Sequence, residues 1–256
     1  MEMTQVLITG VKGFIGHHLY NSLMAEGYDV QGIDDCSGLG WEDREVPHSH
    51  CDITKDPLPY INAQYVIHLA AKAGVRKSWD PKHLKEYCDT NIKGTSRIFN
   101  HYKNSMILYA SSSSVSDMKS PYAMTKAACE AMAPTNAIGM RFFTVWGEQS
   151  RPDMFYRQLQ EKKIGYLTTH TRDWCHVDDV CGAIKFIMKK FAILKSTTPP
   201  VYDIGYGSPM SVYDFAWTHA PEGFNVDALP FKNVTGESEE TCADSSPLKA
   251  LGWNVM

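Results

Sequence analysis

The chain has 256 residues, 43% of them hydrophobic, 21% charged and 11% aromatic, with 18 Gly and 13 Pro. That apolar content excludes a disordered chain, the Gly and Pro counts exclude a fibrous one, and the length allows one large or two small domains. Twenty-nine Asp and Glu against 25 Lys and Arg leave a formal charge of -4, which argues against nucleic acid or an anionic membrane as the main partner. The N-terminal residues carry no basic leader, and no run approaches the roughly 20 apolar residues of a membrane helix. Seven cysteines, at positions 36, 51, 88, 129, 175, 181 and 242, contain no C-x-x-C pair. They read as reduced thiols, which predicts a cytoplasmic protein. The ten histidines lack metal-ligand spacing, so no metal site is expected.

In chain order, Val6–Thr9 is a short apolar run ending at Gly10, as a buried parallel strand would. Phe14–Ala25 has apolar residues at helical spacing, with Gly27 just beyond its end. Strands are predicted at Asp29–Ile33, Tyr65–Leu69, Met106–Ala110 and Ala137–Phe143, and helices within Pro81–Tyr102 and over Tyr122–Met132. Such alternation predicts an α/β fold, a Rossmann-type doubly wound parallel sheet with helices on both faces. Beyond Phe143 the rhythm loosens. Helices are expected over Pro152–Lys163 and Asp178–Lys190, strands over Tyr166–Thr169, Val201–Ile204 and Leu229–Val234, and a turn-rich connector over Leu194–Pro200. The expected division is a cofactor-binding domain over 1–144 and, over 145–256, a mainly substrate-binding lobe interleaved with late sheet elements.

Gly10-x-x-Gly13-x-x-Gly16 falls after a strand and at a helix start, where glycines let backbone N–H groups approach a pyrophosphate at the positive helix end. Asp34 ends the second strand, where a carboxylate can accept from both ribose hydroxyls of adenosine and would repel a 2′-phosphate. NAD is therefore favoured over NADP. Tyr122-x-x-x-Lys126 puts a phenol and an ammonium one turn apart on one helix face, an arrangement that favours phenolate. The serines of Tyr109-Ala-Ser-Ser-Ser-Ser-Val115 lie at the carboxyl end of a strand, where open α/β sheets place their sites.

Together with His68-Leu-Ala-Ala71, these motifs resemble the extended short-chain dehydrogenase/reductase family, and within it the nucleotide-sugar epimerases and dehydratases. The resemblance runs from Val6 to about Trp253. It implies that Gly10, Gly13, Phe14, Ile15 and Gly16 hold NAD, that Asp52 and Ile53 flank the adenine, and that Leu69, Ala70, Ala71 and Lys72 line the pyrophosphate and nicotinamide ribose. Asn91 would prop the nicotinamide half, and Lys126 would also hold the nicotinamide ribose. Tyr122, Lys126 and Ser112 are the implied catalytic residues, with Ser113 and Ser114 beside the sugar. The family's dehydratases carry an acid next to the catalytic hydroxyl; serine stands there here, which disfavours 4,6-dehydration.

Arg141-Phe-Phe-Thr144-Val-Trp-Gly147 and Arg151-Pro-Asp-Met154 resemble a segment of the UDP-glucuronate 4-epimerases. That similarity places Thr144 against the substrate and Arg151 against the sugar carboxylate, which a guanidinium can meet with two parallel hydrogen bonds. Arg76 becomes a second basic contact and Arg172 reaches the diphosphate. The implied reaction interconverts UDP-glucuronate and UDP-galacturonate through a transient 4-keto sugar. An epimerase of neutral UDP-hexoses, a nucleotide-sugar reductase and a non-catalytic NAD-binding protein are the competing readings. Relatives pair through two long helices, here Pro81–Tyr102 and Tyr122–Met132, which predicts a homodimer with Ala127, Ala128 and Ala131 allowing close approach. The pattern departs in the short Val115–Pro121 loop between Ser112 and Tyr122, and Asp244 is expected to brace the substrate lobe.

Overall fold

A computed structural model describes residues 3–196, 200–234 and 236–254. In chain order its elements are β1 (Gln5–Thr9), α1 (Phe14–Ala25), β2 (Asp29–Asp34), β3 (Ser49–His50), β4 (Tyr65–His68), α2 (Val75–Ser78), α3 (Pro81–Tyr87) and, after a π-helical stretch at Cys88–Gly94, α4 (Thr95–His101). There follow β5 (Met106–Ser112), α5 (Pro121–Ala131), β6 (Ala137–Phe142), β7 (Thr144–Trp146), α6 (Phe155–Gln160), β8 (Thr171–Arg172), β9 (Trp174–His176) and α7 (Val177–Leu194). The chain closes with β10 (Val201–Ile204), β11 (Met210–Ser211), α8 (Val212–His219) and α9 (Ser246–Ala250).

Seven strands form one sheet in the order β10-β6-β5-β4-β1-β2-β3, every pair parallel. The order reverses between β1 and β4, which is where an open α/β sheet leaves a crevice at its carboxyl edge. Strands β1, β4 and β5 are apolar almost throughout because both faces are covered. On one face α1 and α7 pack together over Ile8, Ile67 and Leu108; on the other, α4 and α5 cover Leu7, Val66 and Ile107. A smaller core around Leu159, Trp174 and Phe215 joins α6 and α8 in the lobe beyond β6. Strand β10 and helix α7 lie late in the chain yet belong to the main sheet and its cover.

The expected first-half elements all form. Those of the second half differ where the chemistry of single residues intervenes. The helix expected over Pro152–Lys163 contracts to α6, because Met154 is extended at its start and Lys162 turns left-handed after its end. The strands expected over Tyr166–Thr169 and Leu229–Val234 reduce to one bridge between Leu167 and Phe231, since Pro230 lacks the N–H a ladder needs. Residues 197–199 of the expected 194–200 connector lie outside the described residues. The lobe is tied to the sheet most heavily by Asp173, while the Asp244 amide donates to Asp203 on β10 at 3.1 Å. The Asp173 carboxylate is fully buried and accepts from the backbone of Tyr206, Gly207 and Ala243 at 2.8, 2.8 and 2.9 Å. The Asp244 side chain is exposed and accepts from Ser246 at the start of α9.

Candidate active site

Two adjoining cavities open along the carboxyl edge of the sheet. The smaller, of about 260 Å³, is lined by Gly10, Gly13, Asp34, Asp52, Ile53 and the Leu69–Lys72 segment. Its floor is the glycine loop. Gly10 has φ of +73°, and a Cβ there would lie 2.6 Å from the Ala70 amide nitrogen, so only glycine fits. A Cβ at Gly16 would overlap the Gly10 carbonyl oxygen. Gly16 therefore serves the packing of helix on loop, and with buried Phe14 and half-buried Ile15 it stays off the cavity wall.

Asp34 stands where β2 ends, its two oxygens accepting from the Lys12 and Cys36 amides, each at 2.8 Å. Burial raises its pKa against the opposing pull of these amides. The carboxylate is thus oriented by backbone before any ribose arrives. Asp52 is similarly set, accepting from Thr54 through both its amide at 2.8 Å and its hydroxyl at 2.7 Å. Lys12 and Trp41 also line this cavity, with the Lys12 Nζ 4.9 Å from the indole centroid. Neither belongs to the glycine-spacing motif itself, although a lysine inside a glycine loop is a signal visible in the sequence.

Beneath the cavity a buried polar chain fixes the Leu69–Lys72 segment. Asn91 is fully buried in the π-helical stretch; its side chain accepts from the Lys72 amide at 2.8 Å and donates to the Lys72 carbonyl at 3.0 Å and to Thr125 Oγ1 at 3.0 Å. One amide side chain thereby joins the cavity wall to α5. Such π-helical turns are rare and fall frequently at functional sites. His68 lies between Thr9 Oγ1 at 2.7 Å and Thr95 Oγ1 at 2.9 Å, and burial, helped by Lys126, pushes its pKa down to about 3. The imidazole is neutral at working pH, as a hydrogen-bonded wall support should be.

The larger cavity, of about 540 Å³, holds Ser112, Ser113, Ser114, Tyr122, Thr144, Arg76, Arg151 and Arg172 on its walls. Ser112 ends β5 and caps a 3₁₀ turn at Ser113–Ser116, accepting from the Ser114 amide and donating to its hydroxyl, both at 3.2 Å. Ser111 points elsewhere, to Glu130. Tyr122 follows the start of α5, which Pro121 and the Ser120 side chain begin, the latter accepting from the Ala123 amide at 3.1 Å. Lys126, one turn on, is buried and lines neither cavity, its Nζ donating to the Ala110 carbonyl at 2.9 Å. A bidentate pair between Arg141 on β6 and Glu130 on α5, at 2.8 and 2.7 Å, clamps the same helix to the sheet.

Each of the three arginines already meets a carboxylate. Arg151 holds Asp153, with Nε–Oδ1 at 3.0 Å, and both residues line the two cavities together. Arg76 and Arg172 converge instead on Glu237, at 2.6 and 3.4 Å, and Arg172 also contacts His170 Nδ1 at 2.9 Å. Arg76 therefore shares an anion site with Arg172 rather than with Arg151. Glu237 lies beyond the strand expected over Leu229–Val234 and belongs to no sequence motif. The 236–238 segment also answers the short Val115–Pro121 loop, because Ser238 donates to Asp117 and Gly236 packs on Trp79.

Among the described residues no group of three or more His, Cys, Asp or Glu is placed to hold a metal, and no helix is long and apolar enough to cross a membrane. All seven cysteines are unpaired.

The chain is 33% identical over 260 residues to a UDP-glucuronate 4-epimerase of Thermodesulfobacterium geofontis (strain OPF15), covering 82% of this chain and 78% of the relative. It is 30% identical over 272 residues to Protein CapI of Staphylococcus aureus, covering 82% and 81%. Among solved structures, UDP-glucuronic acid 4-epimerase from Bacillus cereus in complex with UDP-glucuronic acid and NAD superposes with a TM-score of 0.77 at 26% identity, covering 98% of this chain and 94% of that one. MoeE5 in complex with UDP-glucuronic acid and NAD gives the same TM-score and coverage at 27% identity. Residues 6–205 match the profile of the NAD dependent epimerase/dehydratase family, and with a parallel sheet that carries the glycine loop, Ser112 and Tyr122 on one edge, the chain belongs to that family.

Proposed function

We propose that the protein is an NAD-dependent nucleotide-sugar 4-epimerase interconverting UDP-glucuronate and UDP-galacturonate. The observation that carries the reading is the meeting of the two cavities at Arg151 and Asp153, with Tyr122 and Ser112 on the wall of the larger. A sugar lying there has its reacting carbon next to the cofactor cavity and a guanidinium within reach of a C6 carboxylate. The similarity to proteins solved with UDP-glucuronic acid and NAD supports the same substrate class.

The smaller cavity fits a dinucleotide. Its glycine cradle would be filled by any Cβ at Gly10, and the oriented Asp34 carboxylate stands about where an adenosine ribose belongs. Gly10, Gly13, Asp34, Asp52, Ile53 and Leu69–Lys72 would hold it, and Asn91 would keep that wall in place. Bound NAD supplies the hydride acceptor and donor. In the chain itself, Tyr122 takes the proton from the 4-hydroxyl and later returns it, and Ser112 shares that proton through its hydroxyl. Lys126, anchored on Ala110, supplies the nearby positive charge and a contact to the nicotinamide ribose. Arg172 and Arg76 exchange Glu237 for the diphosphate, Thr144 packs against the sugar, and Ser113 and Ser114 flank it. Residues 1–144 chiefly serve the cofactor and 145–256 the nucleotide sugar.

Incubating the purified chain with UDP-glucuronate and a trace of NAD, then separating the products by stereochemistry, tests this reading. A mixture of UDP-glucuronate and UDP-galacturonate without accumulating NADH is expected. Stoichiometric cofactor consumption would make it a reductase, and binding without conversion would make it a non-catalytic binder. We also infer a cytoplasmic homodimer formed through α3, α4 and α5, a surface where Leu84 and Met124 stand exposed. Sedimentation of the full chain should give twice the 28.8 kDa protomer mass; a monomer would refute the pairing.

A further inference from the structure

Between β2 and β3 the chain leaves the sheet and folds over the smaller cavity, placing Ser37, Leu39 and Trp41 on its wall. At the base of this excursion Arg44 is only 2% exposed. Its Nη1 donates to the carbonyl of Lys12, inside the glycine loop, at 2.8 Å. Its Nη2 donates, also at 2.8 Å, to the carbonyl of Gln149, two residues before Arg151. A single guanidinium thus joins the loop that cradles the cofactor to the loop that faces the sugar.

Three further observations make this more than a chance contact. Gln149 has φ of +55°, a left-handed geometry that a non-glycine residue keeps only where its surroundings impose it. The same two segments meet again where Gly40 packs against Pro152, a Cβ at Gly40 reaching within 3.1 Å of the ring, and where Arg157 approaches Asp43 at 3.9 Å. Finally, among the described residues no carboxylate forms a hydrogen bond or ion pair with Arg44, whose Nε is buried without a partner. Asp43 and Asp34 offset the buried charge only from a distance, while desolvation and the nearby Arg151 and Arg157 oppose it, so an anion brought near relieves it. The start of α1, next to the Lys12 carbonyl, is the place where a dinucleotide diphosphate would lie.

We propose that Arg44 is a positioning residue that couples the two binding events: a dinucleotide diphosphate on the glycine loop fixes Arg44, and Arg44 holds the Gln149–Arg151 segment in its substrate-binding form. Arg44 lines neither cavity. The proposal rests on the reading of the two cavities as cofactor and nucleotide-sugar sites. Because coupling between sites is reciprocal, NAD should tighten UDP-glucuronate binding by the same factor that UDP-glucuronate tightens NAD.

Calorimetric titration of the full chain measures this factor without recourse to activity. In the wild type, saturating NAD should tighten UDP-glucuronate about fivefold or more, the lower end of ordinary coupling between sites. In Arg44→Gln the two dissociation constants, with and without NAD, should agree within about twofold, as no coupling remains to be expressed. Arg44→Lys keeps the charge but cannot span both carbonyls, so it should behave like Arg44→Gln. A variant that keeps the wild-type factor, or weakens both constants equally, overturns the proposal. Should both variants fold poorly, hydrogen exchange on the wild type decides: NAD alone must slow exchange across residues 147–154, and unchanged exchange there refutes the coupling. A wild type that binds neither ligand removes the site assignment itself, whereas one that binds both without coupling removes only the role of Arg44.

Discussion

Tyr122→Phe should lose about 10²- to 10⁴-fold in turnover, the range a positioned acid–base group contributes, while NAD affinity stays within about twofold. The substitution deletes one oxygen and leaves its support intact. Helix α5 is begun by Pro121 and Ser120, clamped to β6 by the Glu130–Arg141 pair and held to β5 by Lys126 on the Ala110 carbonyl. The ring is also steadied by Tyr87, edge-on with centroids 6.1 Å apart. A Phe ring therefore occupies the same wall of the larger cavity without a proton acceptor. Turnover is read by the approach to equilibrium between the two 4-epimers, and NAD binding by titration. Retention of a tenth or more of wild-type turnover would move the proton to another group, with Ser112 the first to test because its hydroxyl lines the same cavity.

What could be read in the sequence follows from how local each feature is. The glycine loop, Asp34 and the Tyr122–Lys126 pair are fixed by short-range rules: φ at Gly10, the end of a buried strand, and one helical turn. All stand at the carboxyl edge of the sheet. The strands of the first half were legible because both faces of each are buried, which leaves continuous apolar runs. Sheet order and the second cavity depend on contacts far apart in sequence. Glu237 joins Arg76 from 161 positions away, and Arg44 reaches Gln149 across 105. No periodicity announces such pairs. The role of Asp173 is equally non-local, since its three backbone donors come from two distant loops. The lobe strands are cut short for a different reason: a single proline, Pro230, outweighs the β-propensity of its neighbours.

Arg151→Ala should lower kcat/KM on UDP-glucuronate by about 10- to 100-fold, the value of a hydrogen-bonded charge contact of roughly 1.5–3 kcal/mol. On UDP-glucose, which has no carboxylate, the loss should stay within about threefold, since the substitution removes no contact of comparable strength. The difference between the two substrates is the informative quantity, because a general disturbance of the loop would affect both. Arg151 is well placed for selectivity of this kind. Its fork is held in a plane by Asp153, at 3.0 Å and 3.5 Å, at the junction of the two cavities, so an incoming carboxylate competes with a carboxylate already there. Asp153→Asn weakens that competitor and should therefore shift KM on the uronate downward, opposite in sign to Arg151→Ala. Equal losses on both substrates in Arg151→Ala would detach this guanidinium from the uronate. A second readout bears on chemistry rather than affinity. The 4-keto uronate is a β-keto acid, and loss of CO₂ from it needs the C5–C6 bond to turn perpendicular to the carbonyl plane; a guanidinium that grips the carboxylate resists that turn. Released CO₂, with the matching UDP-4-keto-pentose, should rise in Arg151→Ala relative to each epimerisation event, and an unchanged ratio would confine the residue to binding.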